Sequence, residues 1–427
     1  MNSFILKENQ TIKEKYFHTQ LENGFRITVV PKKLSASYAM VCCGFGGADL
    51  EYEKNGERFT LPAGTAHFLE HKMFESEDGS DAFLEFDTYG GNANAYTSFE
   101  STCYYFSCTE NFFENLNVLL KSVSSAHFTD ASVEKEKSII AREITMYEDI
   151  PTSRVARNLC KALYHSHPIV NAVSGSIESI SEITKETLFR AYNDFYTPQN
   201  LSLCVVGDID PEQIKLYAEK YFGNRAGSRP KTIYPAEPST VKEKNITINA
   251  SLPNELYCIG IKCKPEIEQT LESHRRATAM RLAISLLFGR ASDFYCRNYE
   301  SGIITERFYA GYTSSRQSAY IIISGSGSEY ERIMSAAIAE IEHRKHSFFT
   351  KEQVLREKKA AYSVSLTLYD SGEDIVSAMA EAAQLDYDEF DCIEMLRDIT
   401  ADEIKQALNS IDTEKTAISI IKKGKDL

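Results

Sequence analysis

The chain has 427 residues, 43% of them hydrophobic, with 24 Tyr and 23 Phe; that is too long for one ordinary core and too apolar for a disordered polymer, so two or more folded domains are expected. A formal net charge of −14 excludes a general nucleic-acid binder, whose affinity rests on basic surface, and favours basic partners only weakly. The ten cysteines contain no C-x-x-C pair, which points to buried reduced thiols rather than a zinc or redox framework.

The opening stretch MNSFILKENQTIKEKYF lacks the long apolar run and small-residue cleavage site of a secretory signal. No later run approaches the roughly 18 apolar residues of a membrane span. A soluble, cytoplasmic protein is therefore expected.

Along the first half, apolar and β-branched runs predict strands at 25–30 and 37–44, then a helix over 66–74, then strands at 92–98 and 101–108. Three or more helices follow over 110–163, with Pro151 marking a break. The stretch GNRAGSRPKTIYPAEPSTVKEKN, 223–245, collects Gly, Pro, Ser and charge without an apolar period and reads as a linker. Beyond it the same order returns, with strands at 256–263, 306–312 and 319–324 and helices at 274–288, 330–345 and 351–366.

The return has a specific offset. The segment beginning ITKETLFRAYNDF at Ile183 reappears as ITADEIKQALNSI at Ile399, an offset of 399 − 183 = 216, with Thr184 and Ala191 recurring as Thr400 and Ala407. Each copy reads as a helix followed by a β-rich run, and Thr400 with Glu403 has capping-box spacing. The predicted fold class is α+β: two homologous domains, 1–222 and 246–427, each a mostly antiparallel sheet packed with helices.

The chemistry concentrates in LPAGTAHFLEHKMF. On a helix the residue step is about 100°, so His67, Glu70 and His71 share one face. Two imidazoles at i and i+4 grip one zinc ion, and the carboxylate beside the second reaches a water on it. Two unrelated histidines on a helix are the plainer alternative, but a His pair with a carboxylate is costly to bury without a role. A catalytic zinc needs a third protein ligand. In EKEKSIIAREI, 134–144, Glu136 and Glu143 lie seven apart on one helix face beside Ile139 and Ile140. A salt bridge of Glu143 with Arg142 or a nearby Lys is the competing use of that carboxylate.

The stretches HFLEH at 67–71, GGNANAYTSFESTCYY at 90–105, EKEKSIIAREI at 134–144 and FYTPQNLSLCVVGDIDPEQI at 195–214 together resemble the pitrilysin or insulinase family of zinc metallopeptidases. The resemblance runs through most of the first half. It implies a Zn2+ cofactor held by His67, His71 and Glu143, with Glu70 as catalytic base and Glu136 supporting the site. It also implies that 92–98 is an edge strand on which a peptide adds as a further strand, with Asn94, Ala95 and Tyr96 as substrate-binding candidates.

The second half is implied to be an inactive domain completing one half of a clamshell. The partner implied is a second copy or a metal-free homologous subunit. Departures from the family pattern matter at two places. The interval 143 − 71 = 72 is short for the family, which raises Glu148 as a rival ligand; Glu143 is preferred because it follows the apolar pair, whereas Glu148 lies in the acidic YEDIP stretch. Arg297 and Tyr299 are present, but not at the usual spacing from Gly302, so they stay outside the predicted site. The expected function is zinc-dependent endopeptidase. The competing reading, from another class, is a non-catalytic, peptide-binding subunit.

Overall fold

In the computed structural model, which describes residues 3–75, 81–385 and 387–424, the apolar run LSLCVVG becomes a strand buried along its whole length. It lies inside a seven-stranded sheet formed by β1 (Ile5–Asn9), β2 (Glu14–Gln20), β3 (Arg26–Pro31), β4 (Ser37–Cys43), β5 (Asn92–Thr97), β6 (Thr102–Cys108) and β7 (Leu201–Gly207). The order is β1-β2-β3-β7-β4-β6-β5. β3 and β7 run parallel, and the other neighbours are antiparallel.

Burial on both faces explains the continuous apolar sequence of the central strands. On β4, Ala39, Val41 and Cys43 enter the main core, while Met40 and Cys42 are equally buried on the opposite side. The helix Gly372–Ala382 packs on β4 and β7. A Cβ at Gly372 would fall 2.3 Å from the Tyr38 ring, so only glycine permits this approach.

A second sheet contains β8 (Asn245–Ala250), β9 (Leu256–Lys262), β10 (Tyr309–Ser315), β11 (Ser318–Ser326) and β12 (Thr416–Lys423) in the order β8-β12-β9-β11-β10. Taken in chain order, β8 to β12 repeat β3 to β7 one for one, including the single parallel pair, β8 with β12. β7 and β12 start 416 − 201 = 215 residues apart, one residue from the sequence offset. The α+β class and its duplicated, mostly antiparallel sheets are thus present as the pattern implied.

The chain divides into two compact units that do not follow the halves of the sequence. Unit 1 gathers Met1–Ile144, Asn171–Ile233 and Leu366–Phe390; unit 2 gathers Thr145–Val170, Tyr234–Ser365 and Asp391–Leu427. The division between Ile233 and Tyr234 falls within the expected linker, but each half also gives a segment to the other unit. The helix Pro151–Leu163 packs its apolar face on β9 and β12. Gly260 on β9 makes room: a Cβ there would lie 2.8 Å from Leu159 and 2.9 Å from Leu163. Periodicity shows that this helix has an apolar face and says nothing about which sheet receives it.

Pro151 marks the expected break: the preceding helix ends at Glu148 and Pro151 starts the next, its ring occupying the first turn where no N–H is needed. The expected strand at 306–312 begins later, at Tyr309. The linker contains a two-residue strand, Lys231–Thr232, that pairs with Glu51–Lys54. Among the described residues no helix is long and apolar enough to cross a membrane.

Candidate metal centre

The helix α1 (Thr65–Lys72) carries the His-x-x-Glu-His pattern. Its N-cap, Gly64, sits at φ 96°, a conformation that disfavours any residue with a Cβ, and a Cβ there would lie 2.6 Å from the Ser174 carbonyl. Phe68 and Leu69 are fully buried in the core of unit 1 and fix the rotation of the helix. His67 is 9% exposed and Lys72 1%; the Lys72 ammonium is ion-paired with Glu75, as a buried cation requires.

The helix α2 (Asp130–Glu148) presents Val133, Ile140 and Ile144 to the core. That stripe sets Glu136 and Glu143, both partly buried, toward α1. Glu143 Oε1 lies 3.4 Å from His67 Nε2, and Glu143 Oε2 lies 3.4 Å from His71 Nε2. One ligand atom from each of His67, His71 and Glu143 falls within 4.8 Å of the other two. The imidazole centroids are 4.7 Å apart.

These separations fit a metal. Charge-assisted N–H···O bonds close to about 2.7–2.9 Å, and 3.4 Å is too long for one. Ligands about 2.0–2.1 Å from a tetrahedral zinc are separated by roughly 3.4 Å, the distance of each imidazole Nε2 from the Glu143 oxygen that faces it. Two imidazole nitrogens and one carboxylate also form the donor set of an open catalytic zinc site.

Glu136 and Glu143 act on His71 from opposite ends. Glu136 Oε1 lies 2.9 Å from His71 Nδ1, which assigns the proton to Nδ1 and leaves Nε2 free to ligate. Burial alone would lower the His71 pKa, but the hydrogen bond to Glu136 and the nearby Glu143 carboxylate outweigh it and raise it to about 9. The His67 and His71 imidazoles together hold the Glu143 carboxyl well below the usual carboxylate range, against the opposing effect of burial. His67 Nδ1 is buried with no hydrogen-bond partner among the described residues.

Glu70 is anchored from β5: Thr97 Oγ1 donates to Glu70 Oε2 at 2.5 Å. β5 is the last strand of its sheet. Ala93 and Ala95 pack toward the core and Thr97 follows them on the same side, while Asn94 and Tyr96 alternate to the other. The Ala95 N–H donates to Asn94 Oδ1 at 2.8 Å, and Tyr96 packs at 6.3 Å on Tyr105. The three substrate-binding candidates thus divide between the two faces of the strand.

The remaining candidates have other partners. Glu148 is exposed and faces Arg157 at 3.8 Å. Arg142 donates to the Ser138 carbonyl rather than to Glu143. Arg297 pairs with Glu340 at 3.1 Å, and Tyr299, 48% exposed, stacks on Tyr295. Thr97 was not among the residues expected from sequence. Its position beside Glu70 depends on strand register, which composition does not report.

Two family models match the chain: insulinase (peptidase family M16) over residues 57–176, and the M16 inactive domain over 182–361. The chain is 33% identical over 409 residues to "Uncharacterized zinc protease YmfH" of Bacillus subtilis (strain 168), covering 94% of this chain and 95% of that one. It is 29% identical over 210 residues to "Probable mitochondrial-processing peptidase subunit beta" of Schizosaccharomyces pombe (strain 972 / ATCC 24843), covering 48% and 44%. Among solved structures, an M16-like peptidase from Alicyclobacillus acidocaldarius superposes with a TM-score of 0.90 at 28% identity, covering 98% of each chain.

Proposed function

This chain belongs to the insulinase family of M16 peptidases, and we propose that it is an active zinc endopeptidase in which Glu70 is the catalytic base. The observation that carries the reading is the trio His67, His71 and Glu143, with ligand atoms within 4.8 Å of one another, and a carboxylate, Glu70, on the same helix face as the two histidines. His67, His71 and Glu143 would hold the ion, which when bound supplies a Lewis acid that polarises a scissile carbonyl and makes water acidic near neutral pH.

The chain's own residues do the rest. Glu70 takes the proton of the attacking water and passes it to the leaving amine. Glu136 keeps His71 in the tautomer that ligates through Nε2. A peptide or unfolded segment docks as an added strand on β5, where main-chain hydrogen bonds give affinity with loose sequence preference. Asn94, Ala95 and Tyr96 line that edge, and the Ala95 N–H, now turned to the Asn94 side chain, is a donor that a docked strand would take over.

The protein works in the cytoplasm, in an enclosed chamber formed as a dimer with a second copy or a metal-free homologous subunit. The partner reading is supported by similarity over about half the chain to a relative named as a subunit. A second reading, a non-catalytic peptide-binding subunit, is favoured by the match of the later part of the chain to an inactive domain. Metal analysis combined with cleavage of a mixed peptide library, with and without a chelator, separates the two. Chelator-sensitive cleavage supports the peptidase, and bound zinc without cleavage supports the binding subunit.

A further inference from the structure

Glu70 does not stand alone on its helix. Of its two carboxylate oxygens, Oε2 accepts the Thr97 hydroxyl, and Oε1 has no hydrogen-bond partner among the described residues. A carboxylate free to spin about its last torsion occupies a broad range of orientations; one short hydrogen bond to a fixed donor removes that freedom.

Thr97 is such a fixed donor. It is the final residue of β5 and pairs directly with Thr102 of β6, whose hydroxyl donates to the Phe45 carbonyl at 2.8 Å. The turn after Thr97 is held by the loop that follows β4. Gly47 N donates to the Ser98 carbonyl and Ala48 N to the Phe99 carbonyl, both at 2.9 Å. Asp49, 1% exposed, accepts the Gly46 N–H at 2.8 Å, and a Cβ at Gly46 would lie 2.5 Å from the Phe99 backbone. The hydroxyl is therefore tied to the sheet on one side and to the helix carboxylate on the other.

We propose that Thr97 is a positioning residue for the peptidase reaction: its hydroxyl holds Glu70 Oε2 so that Oε1 faces the attacking water, and it couples the base to the strand on which substrate docks. The proposal rests on the peptidase reading above. A group that orients a base lowers the barrier without adding to substrate affinity, so its loss falls on kcat rather than KM.

The test uses the full-length protein with zinc and a fluorogenic peptide chosen from the library. Thr97→Val keeps the shape and β-preference and removes the hydroxyl; Thr97→Ser keeps the hydroxyl. Thr97→Val should lower kcat by about ten- to hundredfold with KM within about twofold, and Thr97→Ser should stay within about threefold of wild type. Zinc content and Tm should be unchanged in both. A crystal structure of Thr97→Val should have the Glu70 carboxylate turned or split between rotamers.

Wild-type kcat in Thr97→Val, an equal loss in Thr97→Ser, or a loss that tracks zinc content or Tm overturns the assignment. So does an unmoved Glu70 carboxylate in the crystal structure. If Glu70→Gln is as active as wild type while Thr97→Val is impaired, the choice of base fails instead. The two failures are thereby told apart.

Discussion

Glu136 Oε1 sits 2.9 Å from His71 Nδ1, on the side of the ring opposite Glu143, and so fixes which nitrogen of His71 is available. A carboxylate bonded to the far nitrogen of a ligating imidazole also raises its basicity. Replacing Glu136 by Gln keeps the size and removes the charge. Zinc affinity should fall by about ten- to hundredfold, with Tm of the zinc-free protein little changed, as measured by competition with a chelating dye.

The same pair makes zinc binding pH-dependent. With the His71 pKa raised to about 9 by Glu136 and Glu143 against the effect of burial, the metal-free site carries a proton on His71 at neutral pH that zinc must displace. Apparent affinity should therefore rise with pH, by about tenfold per unit below pH 9. Titration calorimetry at pH 7 in buffers of different ionisation enthalpy should report release of about one proton; a buffer-independent enthalpy would contradict the assignment.

Glu143 and Glu148 separate cleanly. Glu143 lies 3.4 Å from both imidazoles, and Glu148 is exposed beside Arg157. Glu143→Gln should remove most bound zinc and most cleavage. Glu148→Gln should leave both within about twofold of wild type, since exposed ion pairs contribute little. Elemental analysis of the purified variants checks the pair.

Away from the metal, Glu237 closes the turn after the helix Pro151–Leu163. It accepts the backbone N–H groups of His165, Ser166 and His167 at 2.9–3.0 Å and the buried Lys262 ammonium at 2.5 Å. Burial works against its ionised form, but Lys262 and the amides outweigh it and hold the pKa at about 2. The folded value lies below the unfolded value of about 4.3, so this stabilisation is fully present above pH 4.3 and is lost as pH falls toward 2. Glu237→Gln should cost about 1–3 kcal/mol at neutral pH and flatten the acid limb of the stability curve, as read by urea unfolding at several pH values.

How much of this was written in the sequence depends on the range of the interaction. His67, Glu70 and His71 are joined by helical spacing alone, and the Glu136–Glu143 heptad beside Ile140 gave the facing helix, because local periodicity fixes a helix face. The 216-residue offset announced the repeated helix-strand unit, and β7 and β12 occupy equivalent places in their sheets. Thr97 remained hidden because its hydroxyl reaches Glu70 through the hairpin register of β5 with β6, a non-local property. The reciprocal placement of 145–170 and 366–390 was hidden for a related reason: an apolar stripe such as Val155, Leu159 and Leu163 identifies a packing face without identifying its partner. β1, with four of its five residues exposed, carries too little alternation to read as a strand.

The most direct test of the central claim is a single substitution, Glu70→Gln, examined for bound zinc and for peptide cleavage in the same preparation. Glu70 is the base and not a ligand in this account, so the variant should retain about one zinc per chain, as a site of three protein ligands would, and lose turnover by at least about a hundredfold. Full cleavage by the zinc-loaded Glu70→Gln protein would contradict it.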